Sequence, residues 1–250
     1  MRLPYHQQWG DVVSIYANCS LTNDSDRLIA MSGIAKSFQE TNQDTYLAGL
    51  WKGVIFSDLT WKTNASEGAQ VQRSESYAPT WSWASVVGGH ITLCMMHSRH
   101  GGLPIPLIEL VEARIVSEPP GGDNTGLLRS AELDIECMLY HYRWVRKTKK
   151  LAVFTDEART KCYFDKEYRD QDLYIDTTNM VQKFQDMEQV EGVCLPLCGV
   201  HGAYGAGTNA FLMLEHVSGT IFKRVGTFQH GEMVKWIRQW SGSGTRITLV

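Results

Sequence analysis

Cys194, Cys198 and His201, spaced Cys-x3-Cys-x2-His, are the residues best suited by type to hold a metal. Zinc takes four tetrahedral ligands, and a structural site normally adds a second Cys-x-x-Cys or His-x3–5-His unit. Cys94 and His97 are the nearest candidates for that second half, and their arrangement fits neither unit. The reading is therefore two core cysteines on one face of an apolar strand, with no metal bound. Asp165, Glu167, Asp170, Asp172 and Asp176 invite a calcium loop. Counted from Asp165, however, position five is Arg169, position six is Asp170 and position twelve is Asp176. The EF-hand needs an oxygen ligand, a glycine and a glutamate there. The stretch reads instead as a solvated turn, paired with the basic run Arg143, Arg146, Lys147, Lys149 and Lys150.

Nucleophilic and phosphate chemistry leave little trace. There is no G-x-S-x-G elbow, H-E-x-x-H, P-loop or G-x-G-x-x-G, and Gly242-Ser243-Gly244 lacks the flanks a nucleophile elbow requires. Gly202 to Gly207 has its glycines in another order and reads as a loop between strands. Six cysteines and eight histidines could assemble a Cys–His pair only through the fold. Tyr77, Trp81 and Trp83 could form a sugar-stacking platform, but their apolar surroundings favour the core. No catalytic, cofactor-binding or metal-binding residue is assigned.

The elements that would carry these residues divide in two. Trp9, Val12, Val13 and Tyr16 fall at i, i+3, i+4, i+7, one face of a helix. Leu28, Met31, Ile34, Ala35 and Phe38 repeat the pattern behind Thr22-Asn23-Asp24-Ser25, a cluster rich in N-cap types. Leu47, Leu50, Trp51 and Val54 give a third stripe, extended by Ile55, Leu59 and Trp61. Gly33 and Gly49 inside these stripes imply close helix packing. Residues 1–62 are thus a helical segment, and the polar, aperiodic 63–76 is a loop and the best boundary.

From Tyr77 the period becomes two. Tyr77 to Trp83 is extended by Pro79, with Trp81 and Trp83 to one side. Strands are expected at 90–93, 107–116, 133–139, 151–154, 162–164, 193–198, 210–214, 220–225 and 247–250, and a short helix at 233–240. The fold class is α+β: the N-terminal helical segment, then a predominantly antiparallel β barrel or sandwich over 77–250.

Composition excludes several classes. The chain has 250 residues, 43% hydrophobic and 20% charged, enough for a core without disulfide staples and unlike a disordered chain. A formal charge of −3 is too near neutral for a general nucleic-acid binder. No signal-like or membrane-length apolar run is present, and the cysteines are irregularly spaced. A cytoplasmic protein with reduced thiols is expected, in which the sequons at Asn18, Asn23 and Asn64 are chance matches.

Several blocks in order resemble fungal heterokaryon-incompatibility (HET) domain proteins. They are Trp9, Ser20-Leu21-Thr22 and Asp26 to Ala35; Tyr46-Leu47-Ala48-Gly49-Leu50-Trp51; and Tyr77-Ala78-Pro79-Thr80-Trp81-Ser82-Trp83-Ala84-Ser85. Cys194 to Leu197, Leu212 to Glu215, Phe222 to Phe228 and Ile247 to Val250 resemble late strands of that family. The resemblance covers nearly the whole chain and implies the region downstream of the HET core, with roles in allorecognition and programmed cell death. The core itself would lie before Trp9, so none of its activity carries over. The implied function is a non-enzymatic scaffold whose partner is a protein or an upstream HET core. The alternatives are a Cys/His-dependent hydrolase or transferase and a carbohydrate-binding-like β module. If the Trp9, Val12, Val13, Tyr16 face normally meets such a core, self-association through it is expected.

Overall fold

The structure is a computed structural model that describes residues 4–19, 21–64, 70–74, 78–93, 104–155, 158–159, 162–167, 173–201, 207–230 and 244–250. Two helices open it, α1 (Pro4–Tyr16) and α2 (Arg27–Asn42). α1 buries Trp9 and Val13 completely, and α2 buries Leu28, Met31 and Ala35. α2 ends at Gln43, whose φ of 55° supplies the left-handed turn common behind helices.

The third stripe does not form the expected helix. Strands β1 (Tyr46–Leu47) and β2 (Leu50–Trp51) make a hairpin, followed by a 3₁₀ turn and the one-turn helix α3 (Ile55–Asp58). Ala48 and Gly49 sit at φ 45° and 100°, the paired positive values of a two-residue turn that no helix contains. Spacing alone could not separate these cases, because the hairpin buries both faces: Tyr46, Leu47, Ala48, Leu50 and Trp51 are all in the core. Gly33 is not a packing contact either, since a Cβ there would meet nothing within 4 Å.

The stretch 63–76 carries structure of its own. β3 (Lys62–Asn64) pairs with β6 (His90–Thr92), and β4 (Gln72–Arg73) pairs with β5 (Val86–Val87). Trp81 and Trp83 do not lie on a strand; the chain turns at Trp81, and Trp83–Ser85 is a 3₁₀ turn whose Ala84 amide is capped by Ser82 Oγ.

The remaining strands are β7 (Pro104–Pro106), β8 (Ile108–Ser117), β9 (Leu128–Cys137), β10 (Tyr140–Val145), β11 (Lys150–Phe154), β12 (Cys162–Glu167), β13 (Leu173–Ile175), β14 (Gln189–His201), β15 (Gly207–Ser218), β16 (Ile221–His230) and β17 (Thr245–Leu249). They form one sheet in the order β12-β11-β10-β14-β15-β16-β17-β9-β8, with β13 on β16 and β7 on β14. Every pairing is antiparallel except β16 with β17. The α+β reading holds, with one difference: β12 and β8 end the sheet, so it is open and no barrel closes. A further helix, α4 (Thr178–Asp186), was not foreseen; Thr177 caps it by accepting from the Met180 amide.

The central strands are buried on both faces. In β15, Ala210, Leu212 and Leu214 join the large core, while Phe211 and Met213 face a second cluster with Phe228, which Phe211 stacks upon at 4.6 Å. The large core is continuous from Trp9 through the tryptophans to Leu249, spanning the helical segment and the sheet. α1 lies against β6, where Ser14 Oγ donates to the Ile91 carbonyl at 2.8 Å.

Candidate functional site

The blocks far apart in sequence meet at two adjoining polar centres inside the large core. The first is the carbonyl of Gly49 at the β1–β2 turn. It accepts from Trp9 Nε1 at 3.0 Å and from Trp83 Nε1 at 2.9 Å. Ser82 Oγ donates to the neighbouring Ala48 carbonyl at 2.5 Å and accepts from the Ala84 amide at 3.1 Å. Large rings bury well only if their N–H finds an acceptor, and one turn supplies it for two indoles. Gly49 is required on two counts: its φ is 100°, and a Cβ would come within 2.6 Å of Trp83 Nε1.

The second centre is a guanidinium–carboxylate cluster beneath Trp61. Arg224 of β16 is wholly buried and grips Asp176 with two hydrogen bonds, Nε to Oδ2 at 2.8 Å and Nη2 to Oδ1 at 3.0 Å. Its Nη1 donates to the Leu59 carbonyl at 2.7 Å and its Nη2 to that of Trp61 at 2.5 Å. The guanidinium carbon sits 3.5 Å from the Trp61 ring centroid, a cation–π contact. Burial pulls the Arg224 pKa down, and Asp176 opposes that shift. Arg73 of β4 completes the cluster: Nη2 donates to Asp176 Oδ2 at 2.5 Å, and Nη1 to Ser85 Oγ at 2.9 Å and to the Thr80 carbonyl. Thr80 Oγ1 accepts from the Arg224 amide at 3.1 Å. Four of the five Arg224 N–H groups are thus engaged, and the side chain has no exposed surface. Such a group positions chain segments; it is not placed to meet a substrate. A cleft of about 200 Å³ opens beside Thr80 between Leu128–Glu132 of β9, Lys223 and Val250, and Arg224 does not line it.

The expected sites are dispersed. Cys194 and Cys198 do not share a face: a bulge between Pro196 and Cys198 inserts one residue, sending Cys194 to the second cluster and Cys198 to the large core. Burial pushes both the Cys137 thiol, up to about 12, and the Cys194 thiol upward, the opposite of what a nucleophile needs. Cys94, His97, Tyr77, Asp170, Asp172, 202–206 and 233–240 lie outside the described residues. Among the described residues no three Cys, His, Asp or Glu side chains group to hold a metal.

Asp176 corrects the solvated-turn reading: it is 1% exposed and pairs with Arg224 and Arg73 rather than with the basic run. From that run, Arg143 pairs with Glu191, and Arg146 donates to the Gln185 and Asp186 carbonyls at the end of α4. Trp81 and Trp83 are fully buried, so neither presents a face to a sugar. Trp9 and Val13 are likewise covered by their own chain, which removes the expected exposed stripe on α1.

Arg73 and Arg224 are not singled out by the sequence, while Asp176 and Gly49 are read there in other roles, as part of a solvated turn and as a helix-packing glycine. One signal was available: Arg224 follows Phe222 by two on an apolar strand, and an arginine there requires a buried carboxylate. Among the described residues, no helix is long and apolar enough to cross a membrane. Comparison with protein-family models, with curated proteins and with solved structures finds no match.

Proposed function

We propose that this chain is a non-enzymatic scaffold of the heterokaryon-incompatibility type, acting in the cytoplasm through protein contact. One observation carries the reading: the blocks that resemble the HET family converge on one interlocked core. Trp9 and Trp83 share the Gly49 carbonyl, Ser82 holds Ala48, and Arg224 donates to the Trp61 carbonyl from its guanidinium and to the Thr80 hydroxyl oxygen from its backbone amide. Side chains that hold segments together in this way favour a structural role, and the raised thiol pKa values of Cys137 and Cys194 favour it over thiol chemistry.

The test is expression of the chain in a filamentous fungus, scoring heterokaryon formation between strains that carry it and strains that do not. Altered compatibility is expected, and it should survive Cys194→Ala and Cys198→Ala. Unchanged compatibility refutes the incompatibility role. Loss of the effect in a cysteine variant that still folds, or ester turnover by the purified protein, favours the hydrolase instead.

A further inference from the structure

His6 stands in the first turn of α1, 3% exposed, and among the described residues neither of its ring nitrogens has a hydrogen-bond partner. Its ring packs on that of Tyr5, with 3.8 Å between centroids. A neutral imidazole meets this site with one unpaired N–H, whereas an imidazolium would bury two donors and a charge. The helix adds to that cost, because its amino end is the positive pole and the first turn carries no acidic side chain. The titratable groups around the turn do not relieve it. Tyr5 Oη donates to Asp44 Oδ2 at 2.8 Å, and the Asp44 carboxylate also accepts from the Thr45 and Gly53 amides. Asp58 of α3 accepts from the Trp51 amide, and burial raises its pKa to about 8, so at neutral pH it lends His6 no charge. Tyr46 of β1 is buried, α2 contributes the uncharged Phe38 to this ring cluster, and Asp11, Lys52 and His90 are exposed. Burial therefore lowers the His6 pKa from 6.5 to about 4, with the charge of Asp44 opposing the shift.

α1 is held in two unequal parts. Its first turn is fastened through Tyr5, by the bond to Asp44 and an edge contact with the Trp51 ring at 6.2 Å. From Trp9 onward the hold is firmer: Trp9 Nε1 donates to the Gly49 carbonyl, Val13 is fully buried and Ser14 donates to the Ile91 carbonyl. We propose that the first turn of α1 is an acid-operated latch, closed on the β1–β2 hairpin while His6 is neutral and released when His6 takes a proton, with Trp9 as the fixed end. The released ring reaches water on both nitrogens, and the edge of Trp51 that Tyr5 covers is bared. The sign follows from the lowered pKa: the released turn binds more protons than the docked one between pH 6.5 and about 4, so the latch is closed above that window and opens as pH falls through it. The proposal is independent of the incompatibility reading.

Hydrogen exchange of the full chain, read residue by residue by NMR and corrected for its intrinsic pH dependence, tests the latch. The Gln8 and Trp9 amides close the first turn onto the Pro4 and Tyr5 carbonyls, so their protection reports it. With 6.5 for the released ring and about 4 for the docked one, the open fraction should rise about 20-fold from pH 7 to pH 5. The Ala17 amide, bonded to the Val13 carbonyl at 2.8 Å, should not follow. His6→Phe keeps a ring that takes no proton, and His6→Leu serves if the larger ring fails to pack; either should abolish the rise. In the parent, the ring C–H resonances of His6 should hold their neutral positions down to about pH 5. Equal protection of the first turn at pH 7 and pH 5 overturns the proposal. So does a rise that survives in the His6 variants, a rise shared by Ala17, or a His6 ring that titrates near 6.5 with the turn still closed.

Discussion

Asp176→Asn isolates the energetic role of the buried cluster, because it keeps the side-chain shape and removes only the charge. Asp176 accepts three charge-assisted bonds, two from Arg224 and one from Arg73. An asparagine would turn an NH₂ toward guanidinium N–H groups and leave two cations without a counter-charge. Arg224 has no exposed surface and Arg73 only 12%, so water cannot replace the lost carboxylate. Breaking one side of a buried pair costs about 3–5 kcal/mol. For a chain of this length each kcal/mol shifts the melting temperature by about 2–4 °C, so the drop should be on the order of 10 °C. Urea titration followed by circular dichroism gives the free energy directly. The companion variant Arg224→Met with Asp176→Leu removes the fully buried pair and leaves only Arg73, which keeps its bonds to Ser85 and Thr80, so it should regain part of the loss. A change below about 1 kcal/mol in Asp176→Asn would refute the view that this cluster ties β16 to the tryptophan segments. A double variant no better than the single one would show that the Arg224 charge left unpaired is not the dominant cost, and that the lost Leu59 and Trp61 carbonyl contacts or the stranded Arg73 are.

Other outcomes follow from the same core. Trp83→Ala should cost about 3–5 kcal/mol in a thermal melt, since it empties a fully buried site and leaves the Gly49 carbonyl with one donor fewer. Gly49→Ala should lower stability by about 1–3 kcal/mol, through its positive φ and the 2.6 Å approach to Trp83, while Gly33→Ala, facing open space, should be neutral or mildly stabilising. Asp58 is buried, and burial raises its pKa from 3.8 to about 8, against the bond from the Trp51 amide. The folded state therefore keeps this proton while the unfolded chain loses it, so the contribution of Asp58 to stability is largest below pH 4 and falls by up to about 1.4 kcal/mol per unit as pH rises toward 8. Asp58→Asn should flatten that slope in urea titrations at pH 5 and pH 8. Elemental analysis should find no stoichiometric zinc, because Cys194 and Cys198 face opposite sides of β14; one zinc per chain lost on Cys194→Ser would contradict this.

Hydrophobic periodicity by itself determined the broad division of this protein. One-sided stripes at i, i+3, i+4 in 9–16 and 28–38 sufficed for α1 and α2, and β-branched runs bounded by Gly and Pro sufficed for most strands, because each pattern reflects one repeating geometry. The burial of Trp81 and Trp83 was also legible, since apolar neighbours surround them. Periodicity could not reach features that depend on a single inserted residue or a distant partner. The bulge after Pro196 reverses the side to which Cys198 points, and nothing local marks it. The Ala48-Gly49 turn makes a hairpin from what spacing reads as a helix, because tryptophans from α1 and the Trp83 turn supply the donors for its carbonyl. Asp176 stands in an acidic run that looks solvated, yet Arg73, 103 positions away, and Arg224, 48 away, draw it inside. A carboxylate's environment is set by which charges the fold brings within hydrogen-bond reach, and only the tertiary structure decides that.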